Sequence, residues 1–327
     1  MRVLQIVPSL PPPDEGVGSY ALCLERALAG HGISTRFLTA EPPEDTGLAR
    51  RLEAAEAADA MLLHYANYGY QRRGCPLWLP GALRRWRRGA ANRRLVTVFH
   101  EVYATGPPWR SSFWTRPFQR RIAAAVARES DALVTSLDLY VQRIGPEAAP
   151  EKTSVTPVFS TVGEPREVPP LSARTRRMVL FGGRGARSRA YGELRRDLAA
   201  ACRSLAVEEI ADVGPPLEQA DESVDGVPVR RYGVLPAAEV GRLLLGSLAG
   251  FVAYPAFFLP KSTIFAAYCA HGVLPVQAWR RRSLKGGTAP RWMGSGDLQA
   301  AATAAHAWYG GHSLERQAER FRELLAA

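Results

Sequence analysis

The stretch FVAYPAFFLPKSTIFAAYCAHGVLPVQA, residues 251–278, decides the fold of this chain. It predicts a buried strand, a basic turn that carries Lys261, a helix capped by Ser262 or Thr263, and a second strand. Gly272 is placed to end that helix in a left-handed conformation. In a strand-turn-helix unit, the amides at the helix start point into the crevice beyond the carboxyl end of the strand. The stretch therefore predicts a phosphate site that contains Lys261, Ser262 and Thr263.

On both sides of this stretch, the chain alternates short apolar strands with helices, which is the pattern of α/β proteins with parallel sheets. The alternation starts at residues 2–8 and starts again at 177–182. Residues 161–176, between the two series, are rich in Pro, Ser and Arg and are predicted to be a linker. We therefore predict two Rossmann-like domains, 1–160 and 177–327, that face each other across a cleft.

Length and composition indicate a folded protein with room for two hydrophobic cores. The chain has 327 residues, of which 46% are hydrophobic and 22% are charged. Its opening apolar run, MRVLQIVPS, is too short for a signal peptide, and no segment approaches the roughly 18 apolar residues of a membrane span. We expect a cytoplasmic protein, either free or peripheral to the inner face of the membrane.

The formal net charge of +11 is carried almost entirely by arginine, because the only lysines are Lys152, Lys261 and Lys285. A basic balance of this size favours anionic partners such as phosphates, nucleotides or an acidic membrane surface. A solvated basic surface without a partner is the alternative. No recognised nucleic-acid-binding module accompanies the charge, so no nucleic-acid partner is expected.

Cysteine and histidine spacing predicts neither a disulfide framework nor a metal site. The four cysteines, Cys23, Cys75, Cys202 and Cys269, show no CxxC spacing and are interpreted as reduced thiols in or near the core. The six histidines show no zinc-binding pattern such as HExxH. We expect no metal and no cofactor.

A glycine-containing loop follows the first predicted strand. Gly16 and Gly18, within residues 8–24, let the backbone approach a ligand, and the following helix offers its positive end. The segment GVGSYA fits the dinucleotide fingerprint G-x-G-x-x-A, but the proline-rich acidic loop before it separates the glycines from the strand. A glycine loop facing the cleft is preferred to a nicotinamide site, and a glycine turn without a ligand is the third interpretation.

Two strand ends carry polar pairs. His100 and Glu101 end the predicted strand LVTVFHE, and His64 and Tyr65 end the preceding strand. At the carboxyl edge of a parallel sheet, such groups can bond a hydroxyl or move a proton. We predict His100 and Glu101 as catalytic residues and His64 and Tyr65 as acceptor-binding residues. A structural histidine that bonds a backbone carbonyl is the alternative.

Two further segments are basic. Residues 181–194 combine the glycines at 182, 183 and 185 with Arg184, Arg187 and Arg189. This composition suits a diphosphate, whereas a flexible basic turn is the alternative. Residues 78–94, WLPGALRRWRRGAANRR, would suit an interfacial helix resting on anionic lipid. A solvated helix packed by its tryptophans is the competing interpretation of this second segment.

Taken in order, four segments resemble the GT-B-fold glycosyltransferases, specifically glycosyltransferase family 4. They are the helix end AGHG, the strand end FHE, the restart VLFGGRG, and the pattern A-x-x-x-H-G-V-L-P-V. The resemblance implies an N-terminal acceptor domain, a C-terminal domain for a nucleotide-diphosphate sugar, retention of anomeric configuration and no obligatory metal. It also implies that Gly16 and Gly18 face the cleft, that His100 lies near the reacting sugar, and that Arg184 or Arg187 binds the diphosphate. We predict Gly16 and Gly18 as donor-binding residues.

The sequence departs from the family at one pair of positions. The family usually carries two glutamates eight residues apart, the second of which binds the ribose, just before its A-x-G-x-P-V segment. In this chain the second position falls on Ala267 or Tyr268 and the first on Leu259 or Pro260, so neither is acidic. Altered donor binding, with Lys261 on the diphosphate, is one interpretation. A non-catalytic GT-B protein that acts as a binding or regulatory partner is the other.

Two other enzyme classes are alternatives to a transferase that moves a hexose from a nucleotide sugar. A nucleotide-sugar epimerase shares the fold, but its expected set of acidic and histidine groups is not evident in the sequence. A nicotinamide-dependent oxidoreductase rests only on the GVGSYA segment. The sequence therefore favours a glycosyltransferase whose acceptor is unidentified.

Overall fold

The computed structural model describes an α/β protein with two compact units, each with one six-stranded sheet among the described residues. The first unit comprises Met1–Pro157 and Leu314–Ala327, and the second comprises Val158–Ser313. The parallel sheets with their helices confirm the predicted α/β class. The structure describes residues 1–11, 16–40, 47–53, 58–90, 92–218, 222–280, 287–292 and 294–327.

The first unit starts with a strand and then alternates strands with helices. Its sheet is parallel, with strand order β2-β1-β3-β4-β5-β6. Every residue of β3 is buried, as expected for a central strand covered on both faces. The elements are β1 (Arg2–Val7), α1 (Gly16–Gly30), β2 (Ser34–Thr39), α2 (Gly47–Glu53), β3 (Ala60–Tyr65), α3 (Asn67–Tyr70), α4 (Leu79–Arg88), β4 (Arg94–Phe99), α5 (Ser111–Glu129), β5 (Ala132–Thr135), α6 (Asp138–Ile144) and β6 (Thr153–Val155).

The second unit repeats this alternation around a second sheet, with strand order β12-β11-β7-β8-β10-β9. Its strands are parallel except for β9, which pairs antiparallel with β10. The elements are β7 (Thr175–Phe181), α7 (Arg184–Tyr191), α8 (Arg195–Ser204), β8 (Glu209–Val213), β9 (Ser223–Val224), β10 (Val227–Gly233), α9 (Ala237–Leu245), β11 (Ser247–Val252), α10 (Thr263–Ala270), β12 (Leu274–Gln277) and α11 (Leu298–Gly310). The last helix, α12 (Leu314–Ala326), belongs to the first unit.

Each sheet has one position where the strand order reverses. In the first unit the chain places β2 on one side of β1 and then β3 on the other, so the reversal lies between β1 and β3. In the second unit it lies between β7 and β11. Helices leave opposite faces of the sheet at such a position, and the carboxyl ends of the two strands open a crevice that is the usual ligand site of the architecture.

The stretch 251–278 folds as its sequence predicts. Ser262 caps α10, because its Oγ accepts a hydrogen bond from the amide of Phe265 at 3.2 Å. Gly272 adopts a left-handed conformation, φ +58°, and the chain then enters β12. The preceding strand, β11, begins at Ser247, four residues before the predicted start, and all of its residues are buried.

The division into units differs from the predicted domains at the C-terminus. The prediction assigned 177–327 to the second domain, but α12 packs against α1 and β4 of the first unit. The hydroxyl of Tyr20 donates to Gln317 Oε1 at 3.0 Å, and Gln317 Nε2 donates to the carbonyl oxygen of Pro157 at 2.7 Å. The apolar face of the last helix therefore completes the first core.

The predicted linker, 161–176, is part of the second unit. Leu171 and Arg174 are buried, and the Arg174 guanidinium donates to several backbone carbonyls, including that of His271 at 3.0 Å. Burial lowers the pKa of Arg174 to about 10. A proline-rich and arginine-rich segment that suggests a solvated linker is thus held in place by its arginine.

The basic segment 78–94 buries its apolar face. Leu79, Leu83 and Trp86 of α4 have at most 1% of their surface exposed. They cannot enter a lipid interface while the first unit is folded, which corrects the interpretation of this segment as an interfacial helix. No helix of the described residues combines the length and apolar character needed to cross a bilayer.

Candidate functional site

A cavity of about 190 Å³ lies at the carboxyl ends of β7 and β11, the position where the strand order of the second sheet reverses. Lys261, Ser262 and Thr263 line it together, as does Arg187. These four predicted residues are brought to one place. Among the described residues that line the cavity, Lys261 and Arg187 are the only charged ones, and none is acidic.

The start of α10 gives one wall of the cavity a positive potential. Thr263 and Ile264 supply the first two amides of the helix, and these have no partner within the helix. The third amide, of Phe265, donates to Ser262 Oγ, so the Ser262 hydroxyl keeps its own hydrogen as a donor. Lys261, which is half-buried, immediately precedes this cap. A cationic residue and two helix-start amides that line the same cavity suit an anion.

Arg187, which lines the cavity, is bonded to neighbouring residues of the second unit. Its side chain is 4% exposed, and Nε donates to Asp212 Oδ1 of β8 at 2.7 Å. Nη1 donates to the carbonyl oxygen of Pro215 at 2.6 Å. Because the guanidinium is buried and paired within the protein, the structure gives Arg187 a scaffold role, which corrects the prediction that it binds a diphosphate directly.

Two glycines allow the loops after β7 and β8 to close on this ion pair. Gly182 has φ +133° and Gly214 has φ +145°, conformations that side chains disfavour. A Cβ at Gly214 would also collide with the carbonyl oxygen of Gly182, and one at Gly182 would collide with the side chain of Ile264. Gly182 and Gly214 therefore let the two loops pack together beneath the cavity.

Arg184 lies at the start of α7 and is exposed. Its Nε donates to the carbonyl oxygen of Pro216 at 3.0 Å, and it is not among the residues that line the cavity. Arg189 is half-buried, donates to the carbonyl oxygen of Ala253 and lies over the ring of Trp279. Neither geometry tests a diphosphate role, so the role of Arg184 remains a prediction.

Tyr268 occupies one of the two positions at which the second glutamate of the family falls. Its ring is fully buried and packs on Gly250, where any side chain would collide with it. Its hydroxyl donates to the carbonyl oxygen of Val179 at 3.0 Å and accepts from the amide of Phe181 at 3.2 Å. The side chain thus hydrogen-bonds to the backbone of β7, and α10 presents no carboxylate to the cavity.

In the first unit, three polar side chains form a hydrogen-bonded row beside the reversal between β1 and β3. Gln5 lies in β1, His64 in β3, and His100 directly after β4. His64 Nε2 lies 2.8 Å from Gln5 Oε1, and His64 Nδ1 lies 3.1 Å from His100 Nε2. The ring of Tyr20 meets both imidazoles edge-on, with centroids 5.9 and 5.0 Å away.

The row fixes the proton positions of the two histidines. An amide oxygen only accepts, so His64 carries its proton on Nε2 and accepts at Nδ1 from His100 Nε2. Burial, and then the neighbouring His100, hold the pKa of His64 well below its usual range. His64 is therefore a neutral link between Gln5 and His100. In this arrangement His100 donates from Nε2 to His64.

The structure corrects two of the predicted acceptor-binding residues. His64 and Tyr65 are both 0% exposed, and the ring of Tyr65 packs against Phe99 at 5.0 Å between centroids. Neither side chain has a surface that an acceptor could contact in the first unit. His100 is half-buried and Glu101 is exposed, so the predicted catalytic pair remains accessible there.

The two predicted glycines begin α1. Gly18 is buried, and a Cβ there would lie 2.5 Å from the carbonyl oxygen of Ser9. Gly16 is exposed, with open space around it. Packing therefore explains Gly18 without a ligand, and the donor-binding role of Gly16 is untested. Residues 12–15 of the preceding loop lie outside the described residues.

Sequence reasoning missed Gln5, Tyr20 and Asp212. Gln5 is fully buried inside an apolar strand. A polar residue within such a strand was the available signal, because a buried amide needs a hydrogen-bond partner. Asp212 ends the apolar strand EIADV, and a carboxylate there called for a cation such as Arg187. Tyr20 gave no such signal, because its partners come from distant parts of the chain.

No protein-family model matches this sequence, and the search of curated proteins found no match. Solved structures do match. An alpha-glucosyltransferase in complex with UDP superposes with a TM-score of 0.56 at 11% identity, over 99% of this chain and 94% of that one. A UDP-forming trehalose-phosphate synthase from Burkholderia xenovorans gives 0.53 at 12% identity, over 86% and 76% of the two chains.

A trehalose 6-phosphate synthase from Burkholderia multivorans superposes with a TM-score of 0.51 at 13% identity, over 94% of this chain and 74% of that one. These proteins are GT-B glycosyltransferases. At such identities the likeness shows the fold, so the chain has the predicted GT-B fold with two Rossmann-like units. Membership of family 4 remains a prediction.

Proposed function

We propose that this protein is a glycosyltransferase that moves a sugar from a nucleotide-diphosphate sugar to an acceptor of unidentified structure. The GT-B fold and solved neighbours in complex with UDP support this class. The reaction breaks the bond between the anomeric carbon and a phosphate oxygen and forms a bond to an acceptor oxygen, which loses its proton. We further propose retention of configuration, by the resemblance to family 4.

The observation that carries the proposal is the cavity at the carboxyl ends of β7 and β11. It combines apolar walls, such as Phe251 and Ile264, with the ammonium group of Lys261 and the amides that begin α10. The apolar part suits a nucleoside and the cationic part suits its diphosphate. A site of this composition fits a nucleotide sugar better than an uncharged ligand.

Lys261 is the residue to which we assign the leaving group. Negative charge accumulates on the diphosphate as the glycosidic bond breaks, and a fixed cation at that position lowers the barrier. The hydroxyls of Ser262 and Thr263 and the amides of Thr263 and Ile264 add hydrogen bonds to the same oxygens. Because these groups belong to the protein, we expect turnover without added metal.

His100 is the residue to which we assign a sugar or acceptor hydroxyl. Gln5 and His64 hold its tautomer so that Nδ1 accepts, and Tyr20 restricts the orientation of its ring. Glu101, beside it, is the candidate to receive the acceptor proton. Gln5 and His64 are positioning residues in this scheme, because neither touches a substrate.

A second function is favoured by a specific observation. The α10 helix offers no carboxylate for a ribose, since Tyr268 is bonded into the sheet edge. A non-catalytic GT-B protein that acts as a binding or regulatory partner would need no ribose contact. The two functions differ in whether a nucleotide sugar binds at all.

Thermal unfolding with UDP-, GDP-, ADP- and TDP-glucose separates the two functions. A ligand that binds only the folded state, at a hundred times its Kd, stabilises it by about 2.7 kcal/mol. The enzyme should show a raised Tm with at least one of these compounds, and that compound should then be hydrolysed or transferred. If none raises the Tm, the proposal fails and the non-catalytic function stands. Lys261→Ala serves as the matched variant whose Tm the same compound should leave unchanged.

A further inference from the structure

The positive charge of this protein is concentrated in one part of the first unit. Between Asp59 and Glu129 the sequence contains thirteen arginines and a single acidic residue, Glu101. The whole chain has a formal net charge of only +11. The remainder of the chain is therefore close to neutral, and residues 60–128 carry the excess.

Several of these arginines are engaged within the unit. Arg84 pairs with Glu129 at 2.8 Å, Arg87 with Asp131 at 2.6 Å, and Arg128 with Glu147 at 2.7 Å. Six others in the segments 72–73 and 110–121 are exposed, and their guanidinium groups form no hydrogen bond or ion pair with any residue that the structure describes. They are Arg72, Arg73, Arg110, Arg116, Arg120 and Arg121.

Large apolar side chains are exposed in the same segments. Trp109 is 83% exposed, Leu77 71%, Trp114 68%, Phe118 52% and Tyr68 40%. Five of the eight large hydrophobic residues exposed in the described chain thus lie within 68–118. Such a cluster on one part of a soluble unit marks an interaction site.

Buried hydrogen bonds join these segments into one surface. Gln119 of α5 is fully buried, and its amide donates to the hydroxyl of Tyr68 at 3.1 Å and to the carbonyl oxygen of Arg73 at 2.9 Å. Its oxygen accepts from the amide of Ala104 at 3.0 Å. Trp114 Nε1 donates to the carbonyl oxygen of Pro108 at 2.9 Å, which fixes the exposed ring. We name these exposed arginines and apolar side chains the basic-aromatic surface.

We propose that the basic-aromatic surface docks on an anionic lipid bilayer. Tryptophan and other amphipathic rings settle at the headgroup level, and adjacent arginines are attracted to anionic lipid. The rings of Trp109 and Trp114 meet the first requirement, and the exposed arginines beside them meet the second. The inference does not depend on the proposed catalytic function, and it replaces segment 78–94 with a different set of residues.

Other occupants match the surface less well. A second copy of the chain would bring two sets of six exposed arginines together, which like-charge repulsion opposes. Single-stranded nucleic acid binds through stacking on aromatic rings, and the aliphatic Leu77 offers no such platform. Insertion into an interface uses aliphatic and aromatic groups alike, together with the positive charge.

Flotation with vesicles tests the proposal on the full-length protein. One set of vesicles contains phosphatidylcholine alone, and the other contains phosphatidylcholine and phosphatidylglycerol in equal amounts. The protein should float only with the anionic set, and added salt should weaken binding. Arg116→Gln, Arg120→Gln and Arg121→Gln together should lower the affinity about a hundredfold, since each arginine near the surface contributes about fivefold.

A matched control separates position from net charge. Arg166→Gln, Arg196→Gln and Arg242→Gln remove the same charge from exposed positions of the second unit and should leave flotation unchanged. Trp109→Ser with Trp114→Ser should reduce binding and remove the blue shift of tryptophan emission on anionic vesicles. Circular dichroism confirms that each variant is folded, and the arginine set tests the proposal if the tryptophan pair fails to fold.

Three outcomes would overturn the proposal: no flotation with anionic vesicles, equal loss of binding in the control triple, or binding without any response of Trp109 and Trp114. A parallel titration with a fluorescent single-stranded oligonucleotide addresses the competing partner. Tight oligonucleotide binding that the arginine triple abolishes, with no vesicle binding, would assign the surface to nucleic acid.

Discussion

The carboxyl edges of the two sheets differ in how they present polar groups, although both candidate sites lie where strand order reverses. The first edge presents a hydrogen-bonded row, Gln5, His64 and His100, of which two members are fully buried. The second presents a cavity with Lys261 and helix-start amides in its wall. A row of amide and imidazole groups suits hydroxyl groups, and a cationic cavity suits a diphosphate. One topology can therefore be adapted to either ligand chemistry by the few residues that follow the strands.

The second edge also contains a buried ion pair. The second edge buries a complete pair, Arg187 with Asp212, beneath its cavity, and the charge of Arg187 is cancelled there. Burying an ion pair costs desolvation, which the attraction between the two charges and their hydrogen bonds must offset. We infer that this pair shapes the loops and that Lys261 supplies the charge. The following predictions test that division of roles, from the largest expected effect to the smallest.

Arg187→Met should lower the free energy of unfolding by about 3–5 kcal/mol, because Asp212 would remain buried without its partner. Denaturant unfolding measures this change. Arg187→Met with Asp212→Leu should recover most of the loss, since both charges are then absent. If Arg187→Met left stability intact but abolished nucleotide binding, Arg187 would be a ligand residue and the contrast with Lys261 would disappear.

Lys261→Ala should reduce turnover of the nucleotide sugar on the order of a hundredfold, as expected when one charge-stabilising donor is removed. Steady-state kinetics give this ratio, and the Tm without ligand should stay within the experimental error of the original protein. Lys261→Arg should restore part of the activity by keeping the charge. Equal activity of Lys261→Ala and the original protein would contradict the assignment of the leaving group.

Acid sensitivity should belong to the first edge. His64 stays neutral in the folded protein at a pH where an unfolded histidine is protonated, so the unfolded chain binds more protons as the pH falls. Stability should be complete above about pH 6.5 and decline below it, by up to about 1.4 kcal/mol per pH unit for this group. Unfolding at a series of pH values measures the slope.

His64→Gln should make this slope shallower, because the amide does not titrate. Some slope should remain, since burial also lowers the pKa of His312 in the second unit to about 4. Lys261→Ala is the control that should leave the slope unchanged. A slope that His64→Gln does not alter would mean that His64 is solvated or charged in the folded protein.

The smallest expected effect comes from a comparison of two helix caps in the second unit. Ser262 caps α10 and Asp297 caps α11, each through one hydrogen bond from a backbone amide. Ser262→Ala and Asp297→Ala should each lower the stability by about 1 kcal/mol. Only Ser262→Ala should also weaken nucleotide-sugar affinity, which calorimetric titration would measure. Equal effects of the two variants on affinity would assign Ser262 to the helix alone.

Local patterns predicted most of the fold, since hydrophobic alternation and caps depend on neighbouring residues. Ser262 and Gly272 bound α10 as expected, because a cap and a left-handed stop are decided within one turn. The partner of an amphipathic helix is decided elsewhere in the chain. For that reason α12, which lies within the predicted second domain, is found in the first unit.

The candidate sites were predicted in part for the same reason. Lys261, Ser262 and Thr263 are consecutive in sequence, so the cavity that they share was predictable from a local motif. Arg187 was interpreted as a ligand residue because nothing near it in sequence revealed Asp212, which is 25 residues away. His64 was predicted at the correct strand end, but its burial depends on Gln5, Tyr20 and the covering helices.

The return of α12 to the first unit has a consequence for biosynthesis. The first sheet is translated early, but the helix that covers part of α1 and β4 comes from the last 14 residues of the sequence, Leu314–Ala327. Until those residues leave the ribosome, Tyr20 lacks Gln317 and an apolar face stays open. The packing of α12 on α1 and β4 therefore forms only after the whole second unit has been synthesised.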